Sequence, residues 1–149
     1  METIHAADLV FADWGAEPVE NGAVVVVQDR IGAVGRYEEL RERFPRARVR
    51  RWPGSLGPAR VHDGPLPDAP SPRERVHAVL KLGAVAVLAA YADSPELRAA
   101  AARNDVSVVA AAGPGRLTER SARADLAVFD AAGECVATVC AGRLVHRRK

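Results

Sequence analysis

The sequence predicts an α+β protein: a β-sandwich formed from the N- and C-terminal segments, with a small α/β unit of βαβ type inserted between them. Three observations lead there. Short β-branched and apolar runs bounded by turn residues fill both ends of the chain, as at Gly22–Gln28 and Cys135–Cys140. The middle instead carries two helix starts of one kind, Ser71-Pro72 and Ser94-Pro95, each followed by an apolar run. A stretch from Pro58 to Pro72 with five prolines and Gly64 separates the first end from the middle. At 149 residues and 48% hydrophobic composition, the chain has the size of one ordinary domain and enough apolar side chains for a real core.

In order along the chain, Ala7–Ala12 is the first expected strand. Asn21-Gly22 turns into Gly22–Gln28, whose four consecutive valines are apolar on both faces, as in a doubly covered strand. A tight turn at Asp29-Arg30 gives a hairpin with the strand that ends at Gly35. Tyr37–Phe44 is a short charged helix closed before Pro45, and Arg48–Trp52 returns as a strand that ends on Pro53-Gly54.

After the proline-rich loop, Ser71-Pro72-Arg73-Glu74 offers a capping serine, proline at the first helical position and glutamate three residues on. That helix turns Val76, Val79 and Leu80 inward and stops at Gly83. Ala84–Ala90 follows as a buried strand, Pro95–Arg103 as a second helix and Val106–Ala112 as another strand, with Gly113-Pro114-Gly115 as the break. Helix, strand, helix, strand implies parallel pairing through crossovers. The last block holds Ala124–Asp130, Cys135–Cys140 and Arg143–His146, joined by short turns. The expected division is therefore 1–57 with 115–149 as a discontinuous sandwich, and 58–114 as the insert.

Two passages carry a family likeness. One is the strand, hairpin, short helix, strand order that ends on Pro53-Gly54; the other is Leu117-Thr118 followed by Ala122–Asp130 and two closing hairpins. Together they resemble the split β-domain of the amidohydrolase superfamily, the composite domain of imidazolonepropionase-like proteins and related deaminases. The resemblance implies that Pro53-Gly54 leads into the first strand of a metal-binding barrel. In that family, histidine and carboxylate ligands hold a metal-bound hydroxide that attacks an amide or amidine carbon. Laid on Pro53-Gly54, the family's His-x-His pair falls on Ala59 and Val61, or after a one-residue slip on Arg60 and His62. Neither register supplies two ligands. A whole (β/α)8 barrel takes roughly 250 residues, about 200 at the least, so none fits inside this chain.

What remains for metal chemistry is His62, Asp63 and His77, with Asp68 in the same loop; zinc is the ion such a set would hold, and otherwise no cofactor is expected. His5 and His146 are expected on the surface at sheet edges, and Trp14 and Trp52 over the ends of the β-core. Asp125 and Asp130 bracket a strand and are expected to end it through turn hydrogen bonds. No P-loop, dinucleotide fingerprint or nucleophile elbow is present.

A net charge of +2 and few aromatic residues argue against nucleic acid as a partner. The densest basic run, Arg41 to Arg51, has six arginines with Glu38, Glu39 and Glu42 beside it, and reads as a solvated face or a small patch for phosphate or an acidic partner. No apolar run approaches the roughly 20 residues that cross a bilayer, and the first residues lack the plan of a signal peptide, so a cytoplasmic setting is expected, without a membrane partner. Cys135 and Cys140, on opposite faces of one strand, are expected to stay reduced.

The functional expectation is a protein that lacks the catalytic barrel and acts by binding: to itself as a homo-oligomer, to a partner protein or to a small metabolite. The alternative is a residual metal-dependent hydrolase acting on non-peptide carbon–nitrogen bonds.

Overall fold

The computed structural model describes residues 1–113, 117 and 122–148. Pro114, Gly115 and Thr118, to which the break, the second boundary and the Leu-Thr step were assigned, lie outside the described residues. The chain is α+β. One mixed sheet has seven strands in the order β10-β9-β8-β4-β1-β2-β3, and a second, parallel sheet has three in the order β5-β6-β7.

The first half supplies β1 (Glu2–Val10), β2 (Val19–Val27), β3 (Arg30–Arg36), α1 (Tyr37–Arg43) and β4 (Arg48–Pro58). The last segment supplies β8 (Leu126–Phe129), β9 (Cys135–Cys140) and β10 (Arg143–Arg147). The two ends meet at β4, which runs parallel to β1 on one side and antiparallel to β8 on the other. The expected sandwich is thus one continuous sheet folded over on itself. On a flat sheet the β2–β3 and β9–β10 turns would lie four strands, or about 20 Å, apart. Instead Ile31 N–H donates to the Ala122 carbonyl at 2.9 Å and Ala124 N–H to the Asp29 carbonyl at 2.8 Å. Gly142, at φ +81°, packs so tightly on the Gln28 carbonyl that any side chain there would collide. The core inside the fold holds Val10, Val24, Val26, Ile31, Leu56, Leu126, Val128, Val136 and Val139. Helix α1 covers part of the outer face, where Leu40 packs with Ile4, Ala23 and Val25.

The middle segment supplies β5 (Arg60–His62), α2 (Pro72–Lys81), β6 (Ala84–Leu88), α3 (Pro95–Arg103) and β7 (Ser107–Val109). Both helices start as their sequences dictate: Ser71 Oγ accepts from Glu74 N–H at 3.2 Å, and Ser94 Oγ from Leu97 N–H at 3.1 Å. Val76, Val79 and Leu80 of α2 and Leu97, Ala100 and Ala101 of α3 turn inward onto β6. The unit is tied to the large sheet by Thr138, fully buried on β9, whose hydroxyl donates to the Leu80 carbonyl at 2.7 Å.

Several boundaries differ from expectation, each for a physical reason. β1 starts at Glu2, because His5, Ala6 and Ala7 gain strand character only from pairing on both sides. The hairpin turn is Gln28-Asp29, with Gln28 at φ +57°. β4 does not end at Trp52: its register with β1 shifts between Ala7 and Leu9, and Pro53-Gly54 falls in that irregularity. Gly54 sits at φ +92° against the Phe129 carbonyl, so only glycine fits. The proline-rich stretch also contains the last residue of β4 and all of β5. β6 stops at Leu88 in a 3-10 turn over Ala89–Tyr91, and β7 is only three residues long.

Candidate functional site

In the resembling family the strand after Pro-Gly carries metal ligands, so β5 is the first place to look. Strand alternation puts Arg60 and His62 on one face and Val61 on the other. The Arg60 guanidinium lies 4.1 Å from the Phe129 ring centroid and 5.3 Å from that of Trp14. Trp14 is itself fixed: its indole N–H donates to the Pro58 carbonyl at 2.7 Å, its ring meets Phe129 edge-on at 5.5 Å, and it presses on Gly57, where no side chain would fit. A His62 ring nitrogen lies 2.9 Å from the Pro65 carbonyl. The positions that would hold a metal therefore offer two apolar side chains, Ala59 and Val61, or one arginine engaged with aromatic rings and one histidine turned to its own loop. They do not fit a metal.

Asp63 follows His62 and is exposed, as is Asp68. His77 is exposed on α2 and belongs to a different neighbourhood, near His146 on β10. Burial, opposed by a bond to the Cys135 carbonyl and reinforced by the charges of Lys81 and His77, lowers the pKa of His146. Among the described residues, no three of His, Cys, Asp and Glu are grouped as a metal site would require. Asp130 ends β8 as expected, its Oδ1 accepting from Ala132 N–H at 2.9 Å and Glu134 N–H at 3.0 Å. Asp125 Oδ1 accepts from Ala141 N–H at 2.9 Å, while both carboxylate oxygens bond Arg123.

The sequence reading placed His5 at a surface edge, and the structure corrects this. β1 is an inner strand, and His5 is 3% exposed. Trp52 Nε1 donates to His5 Nδ1 at 3.1 Å, with the two ring planes within 11° of parallel. Burial, and then the charge of Arg50, pushes the His5 pKa down to about 4, so the ring is neutral at pH 7. Trp52 is buried at 7% exposure and lies under the Arg147 guanidinium, which is 5.7 Å from its centroid. The pair is 47 residues apart and is brought together by parallel pairing of His5 with Arg50 and Ala7 with Trp52. No local pattern announces such a register.

The thiols are not activated. Burial pushes Cys140 up to about 11 and raises Cys135 as well, the reverse of what a nucleophilic cysteine needs. No described helix is long and apolar enough to cross a membrane.

Residues 22–47, from β2 through β3 and α1, match the sequence profile described as imidazolonepropionase-like composite domain, bacteria. Among solved structures, the chain is similar to Helicobacter pylori aminofutalosine deaminase at 22% identity and TM-score 0.44, covering 60% of this chain and 28% of that one. Similarity to E. coli guanine deaminase is 15% identity and TM-score 0.46, over 59% and 29% of the two chains. With an adenosine deaminase from Xanthomonas campestris with bound zinc it is 17% identity and TM-score 0.45, over 68% and 31%. The chain thus spans under a third of the length of these structures. A search of curated proteins gave no match. Residues 22–47 thus resemble the imidazolonepropionase-like composite domain, and that resemblance covers only part of the chain.

Proposed function

We propose that this chain is an amidohydrolase-like composite domain that acts by binding, with a second copy of itself as the partner docked on β7. The observation that carries this reading is the state of the parallel sheet. All-parallel sheets have both faces covered and their strands buried. Here β7 pairs on one side only among the described residues, and its neighbouring Ser107 and Val108, which point to opposite faces, are both exposed, Val108 to 38%. Such an edge is a template for another strand. Binding, in place of hydrolysis, is supported by the residues at the family's ligand positions, where Arg60 is committed to Phe129 and Trp14.

Sedimentation velocity over a wide concentration range tests the proposal. The expected result is a concentration-dependent dimer that Val108→Lys converts to monomer without loss of fold. A wild-type monomer at every concentration overturns the self-association. Stoichiometric zinc in the purified protein, lost on His62→Ala, would overturn the non-catalytic reading.

A further inference from the structure

The arginine-rich run from Arg41 to Arg51 separates into two sets once folded. Arg41 donates to the Pro45 carbonyl at 2.9 Å, Arg43 lies 5.5 Å from the Phe44 centroid, and Arg51 lies 4.2 Å from that of Tyr37. These three serve α1 and its surroundings. Arg48 and Arg50 do not. They alternate with Val49 on β4 and so share a face with Trp52, two residues further on. Arg147, from the far end of the chain, covers that same Trp52. Burial, then the neighbouring charges of Arg48 and Arg147, lowers the pKa of Arg50, although a guanidinium stays charged at any ordinary pH.

Three like charges are thus held together with no ion pair among the described residues. Three other arginines around the sheet are paired with carboxylates: Arg123 with Asp125 at 2.8 Å, Arg143 with Asp105 at 2.7 Å, and Arg148 with Asp130 at 2.6 Å. Among the described residues no carboxylate pairs with Arg48, Arg50 or Arg147. Glu2 shares a shallow hollow with Arg46 and Arg48 and pairs with neither. The floor is rigid, because Trp52 is pinned by His5 and both are buried.

We propose that Arg48, Arg50 and Arg147 form a binding site for the phosphate group of a small metabolite, seated above Trp52. Three guanidinia offer more donors than one carboxylate can accept, and they suit an oxyanion with several acceptor oxygens. The whole chain carries a net charge of only +2, which favours a small oxyanion over a polyanion as the ligand. This site is separate from the β7 edge, and its failure or success leaves the association proposed above untouched.

Isothermal titration of the full chain with inorganic phosphate, in chloride buffer of matched ionic strength, tests it. Saturable binding is expected. Arg50→Ala and, separately, Arg147→Ala should each weaken it about tenfold or more, while Arg73→Ala on α2 leaves it unchanged. Circular dichroism confirms that the variants fold; all three side chains are at least partly exposed. The absence of saturable heat, or affinity unchanged in both Arg50→Ala and Arg147→Ala, overturns the site. A single-stranded oligonucleotide that binds with steep salt dependence while phosphate alone does not would overturn it in favour of a nucleic-acid surface.

Discussion

The seven-stranded sheet and the three-stranded sheet are built from the same kinds of residues, yet the first is hydrogen-bonded back onto itself and the second, among the described residues, is not. In the large sheet, the two ends of the chain interlock at β4, and its β2–β3 corner is hydrogen-bonded to the Ala122–Ala124 segment. Its buried polar residues, His5 and Thr138, are both bonded, and no described buried side-chain nitrogen or oxygen lacks a partner. In the small sheet, among the described residues, only β6 is buried along most of its length, while β5 and β7 have a neighbour on one side. The frame is self-sufficient. The small sheet leaves strand residues exposed, Ser107 and Val108 of β7 among them. In a protein that works by contact, this is where a second body would be expected to attach.

The difference can be tested by perturbing each part. Leu126 is fully buried in the core of the folded sheet, and Leu126→Ala should cost about 3 kcal/mol in urea unfolding of the whole chain. If only the helical signal of α2 and α3 survived that change, the two sheets would not share one transition. Acid should act on the same core through His5. Its pKa is about 4 in the folded chain against an ordinary 6.5, so between these values the unfolded chain takes up a proton that the folded one refuses. Stability contributed by the neutral ring is therefore full above pH 6.5, falls as pH drops towards 4, and levels off below it. Roughly 3 kcal/mol is at stake. Carboxylates titrate in the same range, so the measurement is the difference between wild type and His5→Gln at pH 7 and pH 4; an identical loss in both proteins would contradict the buried neutral ring. The smallest effect belongs to the seam. Thr138→Val removes the hydroxyl that bonds the Leu80 carbonyl and should cost about 1 kcal/mol, with faster amide exchange at the C-terminal turn of α2. Unchanged exchange there would mean that packing alone joins the two parts.

What could be read from the sequence depended on how local its cause was. Ser71 and Ser94 cap their helices because a serine, a proline and an acidic residue act within one turn. The valines of β2 declare a buried strand in any context. The same reasoning failed at Pro53-Gly54, a dipeptide that reads as a turn; here an irregular step in β4 absorbs it, so the strand carries on to meet β8. It failed again at His5, whose burial depends on a parallel neighbour more than forty residues away. The candidate ligands His62 and Asp63 were visible as residue types. Their surroundings, a backbone carbonyl for one and solvent for the other, were not. Arg147 was passed over entirely, since nothing in its own segment connects it with Trp52.

The double pairing of β4 also bears on how the molecule is made. Pro58 pairs with Leu126, so one flank of this inner strand waits for a segment more than sixty residues downstream. At synthesis rates of about 5–20 residues per second, the nascent chain spends seconds with that flank bare on the ribosome. Closing so long a loop is also slow. The arginines at 48, 50 and 51 lie on the same strand just upstream of the waiting residues Ser55–Pro58, and their like charges disfavour edge pairing of that stretch with a neighbouring nascent copy.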